Sequence, residues 1–138
     1  MLRAGREVIA RTGDKYGPVP YGNTRAARSQ ALALPERTMA LHCDVSDAAS
    51  VGGDVAAIGE RFGRLDAVVN NAGIAVFKPL MDLTLADWHR VMEVNLTGPF
   101  IVTQAAVPLL RDSGGGAIVN VTSISSVRAS TLRGAYGT

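Results

Sequence analysis

Four polar clusters each follow an apolar stretch of the chain: Thr12-Gly13, Asp44, Asn70-Asn71-Ala72-Gly73 and Thr122-Ser123. A further reactive side chain, Tyr136, stands in LRGAYGT, thirteen residues after Ser123. A phenol serves as acid or base when its surroundings bring its pKa toward neutrality. A serine hydroxyl donates and accepts together, so it can hold a reacting oxygen and the proton that belongs to it. Gly73, without a Cβ, lets a ligand come close to the backbone. These types suit proton transfer at an oxygen. They do not suit a metal site: His42 and Cys43 are adjacent, but no second His or Cys follows at ligand spacing.

The elements that must position these groups can be read from pattern. REVIAR, residues 6–11, reads as a strand, and the glycine- and proline-rich stretch 13–23 as loop. Residues 24–34 are Ala- and Leu-rich and read as a helix capped by Thr24 and ended by Pro35. TMALHCD, 38–44, is a second strand. Ser46-Asp47 then opens a helix to about Phe62, with Val51, Val55, Ile58 and Phe62 on one face and Gly63 as its stop. Gly52 and Gly53 weaken it by about 1 kcal/mol each relative to Ala.

LDAVVNNAG, 65–73, is a buried strand running into a polar turn. Thr84-Leu85-Ala86-Asp87 has the form of a capping box, with Asp in the place usual for Glu. It starts a long helix to about Leu110, with a kink expected near Pro99 and a stop at Gly114-Gly115-Gly116. AIVNVTS, 117–123, is a fourth strand, and 124–135 is loop. Strands separated by helices of this length read as βαβ units: an α/β, Rossmann-like doubly wound parallel sheet of about four strands in one partial domain, residues 1–138. Ligands bind beyond the carboxyl ends of such strands, and each polar cluster lies at one.

Composition narrows the field. Hydrophobic residues make up 47% and aromatics 5%, so the core is built from Val, Ile, Leu and Ala, as a covered parallel sheet requires. The net charge is +2, with seven Lys/Arg against three Asp/Glu in residues 1–37 and seven against nine thereafter. No aromatics alternate with the basic residues, which argues against nucleic acid as a partner. A lone Cys43 forms no internal disulfide and fits a reducing cytoplasm. No apolar run reaches membrane-spanning length, so no membrane partner is expected.

NNAG after a hydrophobic strand, Asn95 within the next helix, and Ser123 thirteen residues before Tyr136 together resemble a short-chain dehydrogenase/reductase. The likeness runs almost continuously over residues 38–138. It implies that Tyr136 is the general acid/base and that Ser123 aligns the substrate oxygen. It implies that Asn95 frees a backbone carbonyl to hold a relay water. Asp44 and Val45 would frame the adenine, and Asn71, Ala72 and Gly73 would lie along the adenine ribose. The implied cofactor is NADP or NAD, and the implied substrate a small alcohol or ketone. Hydride transfer to a carbonyl leaves an alkoxide that needs a proton, which a phenol can supply.

Two parts of the family pattern are missing. A lysine four residues after the tyrosine would fall two residues beyond Thr138, so the chain stops inside the catalytic motif. Without such a charge a phenol sits near 10, with about one in a thousand ionised at pH 7. The glycine-rich phosphate turn is also absent. Thr12-Gly13-Asp14-Lys15-Tyr16-Gly17 spells TGxxxG, but Val19 takes the place of the last glycine and Pro18 and Pro20 flank it. LRAGREVIA instead resembles the end of the family's first helix and its second strand. On that alignment Thr12 stands at the cofactor-binding position where an NAD-dependent member has Asp, and with Arg11 and Lys15 nearby the lean is to NADP.

The sequence is thus expected to be the middle of an oxidoreductase like the 3-oxoacyl-thioester reductases or the sugar and polyol dehydrogenases. The 138 residues alone are expected to show no activity and weak cofactor binding. The alternative is a non-catalytic relic that keeps only the fold and associates through the 84–110 helix, whose Leu96, Phe100, Ile101 and Val107 could meet a second subunit. A strand order of 3-2-1-4-5 without its first strand would leave a gap of roughly 10 Å between REVIAR and LDAVVN. REVIAR is expected to slide beside residues 66–70 and close it; otherwise the gap stays open and a second chain fills it.

Overall fold

The computed structural model describes residues 7–11, 38–128 and 131–137. The expected loop at 13–23, the helix at 24–34 and Thr12 lie outside the described residues. Strand β1, Glu7–Arg11, pairs in parallel with β2, Thr38–His42, with Val8 opposite Met39 and Ile9 opposite Ala40. Helix α1, Ala48–Phe62, follows, then β3, Ala67–Asn70. Helix α2, Leu85–Met92, runs through a π-helical stretch, Glu93–Thr97, into α3, Gly98–Asp112. Strand β4, Ala117–Asn120, pairs in parallel with β3.

The strands form two separate two-stranded sheets, β1–β2 and β3–β4. The expected slide does not occur: β1 stays with β2, and β3 has no strand on its other side among the described residues. The physical reason lies at the end of β2. Cys43 and Val45 are buried with Val51 of α1 and Val94 of the π-helical stretch, and Val55, Ile101 and Val102 pack around them. The β1–β2 pair cannot shift toward β3 without pulling this cluster apart. Moving β1 alone would give up five rungs on β2 for at most four on β3. Burial pushes the Cys43 thiol up to about 12, with the neighbouring Asp54 adding to the effect.

Local chemistry sets the helix ends. Asp47 has extended backbone, and its Oδ1 accepts from the N–H of Ala49 at 2.9 Å and of Ser50 at 3.4 Å. Gly63, at φ 69°, closes α1 by donating its N–H to the Gly59 carbonyl at 2.8 Å. The Thr84 capping box is present in full: Thr84 Oγ1 accepts from Asp87 N–H, and Asp87 Oδ2 accepts from Thr84 N–H, both at 3.1 Å. At the far end of α3, Ser113 Oγ donates to the Leu109 carbonyl and accepts from Leu65 N–H, which ties the start of the β3 segment to the helix.

A kink is expected near Pro99, and the helix is irregular one turn before it. The irregularity is the π-helical stretch, where Gly98 N–H bonds the Glu93 carbonyl five residues back. Pro99 itself sits in the first turn of α3. Proline disturbs a helix by what it withholds: it has no N–H for the carbonyl four residues before it, here that of Asn95. Gly98 is required by packing, since a Cβ there would lie 2.9 Å from Val45 Cγ2. No helix among the described residues is long and apolar enough to cross a membrane.

Candidate active site

Strands β3 and β4 end side by side on Asn70 and Asn120. Asn70 Nδ2 donates to Asn120 Oδ1 at 2.8 Å, and Val121 N–H donates to the Asn70 carbonyl at 2.9 Å, so the two chains leave the sheet in register. Between them opens a cavity of about 1040 Å³. Asn71, Ala72 and Gly73 line it from the β3 side, Ser123 from the β4 side, Asn95 from the π-helical stretch, and Tyr136 from the last described turn. Six of the nine site residues read from the sequence therefore share one cavity.

Asn95 is more firmly held than a helix position requires. Its Oδ1 accepts from Ile74 N–H at 2.8 Å and its Nδ2 donates to the Ile74 carbonyl at 2.9 Å. The carboxamide thus closes a two-bond ring on the backbone of the turn that follows β3. A Cβ on Gly73 would lie 3.6 Å from the same Oδ1, an ordinary contact. The π-helical stretch turns Asn95 toward this loop, and the missing N–H of Pro99 removes one competitor for its carbonyl.

Ser123 has extended backbone, φ −122° and ψ 152°, and starts a 3₁₀ turn over Ile124–Ser126. Its Oγ accepts from Ser125 N–H at 3.2 Å, leaving its own proton for a ligand. Tyr136 lies in a turn closed by Gly137 N–H on the Arg133 carbonyl at 2.8 Å, above the buried Ala135. No described residue hydrogen-bonds the Tyr136 hydroxyl, which is half-buried in the cavity wall.

The remaining three stand elsewhere. Asp44 and Val45 follow β2, apart from the cavity lining. Asp44 Oδ1 accepts from the N–H and the hydroxyl of Ser46, at 3.0 and 2.6 Å, and the Val45 side chain is buried in the core. Thr12 lies outside the described residues. Three residues that the motif reading misses join the site. Asn120 carries one signal, as the polar end of a strand whose partner ends on Asn70. Phe77 and Arg133 have no spacing to mark them. Arg133 stacks its guanidinium over the Phe77 ring at 5.4 Å, and both line the cavity.

The helical face expected to meet a second subunit is divided by the fold. Leu96 and Phe100, 67% and 64% exposed, line the cavity, whereas Ile101 packs against the core.

Residues 8–138 match the family of short chain dehydrogenases. The chain belongs to that family. The D-threitol dehydrogenase of Mycolicibacterium smegmatis is 43% identical over 94 residues, which cover 68% of this chain and 36% of that protein. The trans-4-hydroxycyclohexanecarboxylate dehydrogenase of Sinomonas cyclohexanicum is 42% identical over 114 residues, covering 83% and 41%. A crystal structure of a short-chain dehydrogenase from Streptomyces avermitilis matches with a TM-score of 0.79 at 25% identity, covering 97% of this chain and 46% of that one. The chain thus spans less than half the length of each. As a short-chain dehydrogenase chain it has the family's α/β architecture with parallel strands, and the family is one of oxidoreductases that use NAD or NADP on small alcohols and ketones.

The dinucleotide can be tested against the residues at hand. The cavity holds amide, hydroxyl and backbone groups at Asn71–Gly73, Asn95, Ser123 and Tyr136, a donor set suited to a ribose and its attached ring. For the pyrophosphate, no glycine-rich turn opening a helix occurs among the described residues.

Proposed function

We propose that this chain is the central part of an NAD(P)-dependent oxidoreductase that interconverts a secondary alcohol and a ketone. The observation that carries the reading is the convergence of Tyr136, Ser123 and Asn95 on one cavity beside Asn71–Gly73. The bound cofactor supplies or accepts the hydride. Tyr136 exchanges the proton of the substrate oxygen, and Ser123 holds that oxygen with the proton its hydroxyl keeps free. Asn95 fixes the turn after β3 through Ile74, so that Asn71–Gly73 keep one shape against the ribose. The similarity to dehydrogenases of a polyol and of a hydroxylated ring acid favours a polar alcohol as substrate. Thr12, Arg11 and Lys15 favour NADP over NAD.

In the protein that carries this sequence, Tyr136→Phe should lower alcohol oxidation by about 100-fold or more, the scale of general acid/base catalysis, with cofactor affinity nearly unchanged. Retention of turnover in this variant would refute the assignment. The 138 residues alone should turn over no alcohol, because no described residue hydrogen-bonds the Tyr136 hydroxyl; nicotinamide turnover by the stretch alone would refute that.

A further inference from the structure

The cavity has a one-sided charge. Its charged lining residues are Arg90 and Arg133, and neither Asp nor Glu lines it. Arg133 is the better placed of the two to meet a ligand. Its Nη1 donates to Ser125 Oγ at 3.1 Å, and Ser125 is only 4% exposed. Its guanidinium plane lies over the Phe77 ring. These two contacts hold the group from one side and one face, and no carboxylate pairs with it among the described residues. A guanidinium has five N–H donors, and one bond to Ser125 leaves most of them for something else. A cation fixed in place, with donors unspent and facing a cavity without acids, matches an anion in charge and in planar shape.

Position says which anion. Arg133 precedes Tyr136 by three residues in one hydrogen-bonded turn, and its Ser125 contact lies two residues from Ser123. The alcohol carbon of the substrate must sit against Tyr136 and Ser123, on the reading proposed above. We propose that Arg133 is a specificity-determining residue that binds a carboxylate carried by the substrate, so that the preferred substrates are hydroxy acids and oxo acids. This deepens the oxidoreductase reading and rests on it for the placement of the reacting carbon.

The test compares acid with ester. Dissociation constants of 3-hydroxybutyrate and 5-hydroxyhexanoate, and of their methyl esters, are measured by NMR titration on the protein that carries this sequence. The acids should bind about tenfold or more tighter than their esters, as one charge-assisted pair requires. Arg133→Gln should bring that ratio close to one, Arg133→Lys should keep part of it, and Arg128→Gln, an exposed residue outside the cavity, should keep all of it. Equal binding of acid and ester, a ratio that survives Arg133→Gln, or no binding of either probe would overturn the proposal. So would a loss of NADP affinity in Arg133→Gln with the acid-to-ester ratio intact, which would give the residue to the cofactor. Turnover is read separately: a preserved ratio with no nicotinamide-dependent turnover of any probe would sink the oxidoreductase reading and leave the anion site standing.

Discussion

Asn95→Ala removes both bonds to Ile74 and leaves that backbone N–H and C=O without their partners. A net contribution of about 1 kcal/mol for each bond gives roughly 2 kcal/mol. Alanine is the better helix former, which offsets roughly 0.5 kcal/mol. The expected loss is therefore about 1.5 kcal/mol, close to tenfold in the unfolding equilibrium. Urea unfolding should show it as a lower midpoint at unchanged slope. Amide exchange localises it: Ile74 N–H should lose more protection than the roughly tenfold that the global change imposes on Val51 and Ile58 of α1. Asn95→Asp separates the two bonds. It keeps an acceptor for Ile74 N–H but sets a second oxygen against the Ile74 carbonyl, so it should destabilise at least as much as the alanine variant. An alanine variant with the parent midpoint and an equally protected Ile74 would refute the claim that this side chain holds the turn.

Gly116→Ala should destabilise by about 1–3 kcal/mol in the same unfolding assay. Its Cβ would run into the Asp66 carbonyl, and that carbonyl cannot withdraw without losing its bond from Ala117 N–H. Gly52→Ala, in open space on α1, should stabilise by about 0.5–1 kcal/mol; equal effects at the two sites would sink the packing argument. Lys78 and then Thr84 hold the Asp87 carboxyl down at about 2. A lowered folded pKa stabilises above the unfolded value, about 3.9, and the contribution is lost as pH falls through about 2. The stability difference between the parent and Asp87→Asn should hold above about pH 4 and shrink below it; a constant difference from pH 5 to 2 would contradict this ion pair.

Much of the site is legible in the sequence because its signals are local. Asp47 and Gly63 bound a helix through their own backbone preferences, and Thr84 and Asp87 meet within one turn. The cavity residues 71–73, 95, 123 and 136 follow from the motifs that resemble those of the short-chain dehydrogenases. What escapes the sequence is non-local. The choice of β1 between β2 and β3 is decided by Cys43, Val45, Val51 and Val94, which lie far from β1 in the chain. The π-helical stretch depends on a donor that Pro99 lacks rather than on a residue that breaks the helix where it stands. Arg133 in a glycine-containing loop is indistinguishable from a solvated arginine until Phe77 and Ser125 are seen against it.

Lys78 makes an unusual pair of attachments. Its backbone N–H donates to the Leu132 carbonyl at 3.2 Å, where Leu132 adopts φ 62°, and its Nζ reaches Asp87 Oδ2 at 2.7 Å. The turn bearing Tyr136 is thereby indexed to one residue of the loop between β3 and α2. Natural length variation should be unequal on the two sides of that residue. Insertions at 79–83, where Leu80 and Met81 are exposed, can bulge outward and leave the index untouched. Insertions between Asn70 and Lys78 would move the index itself and carry the tyrosine away from Ser123. Within a lineage, the 79–83 segment should be free to lengthen and the 71–77 segment counted to the residue.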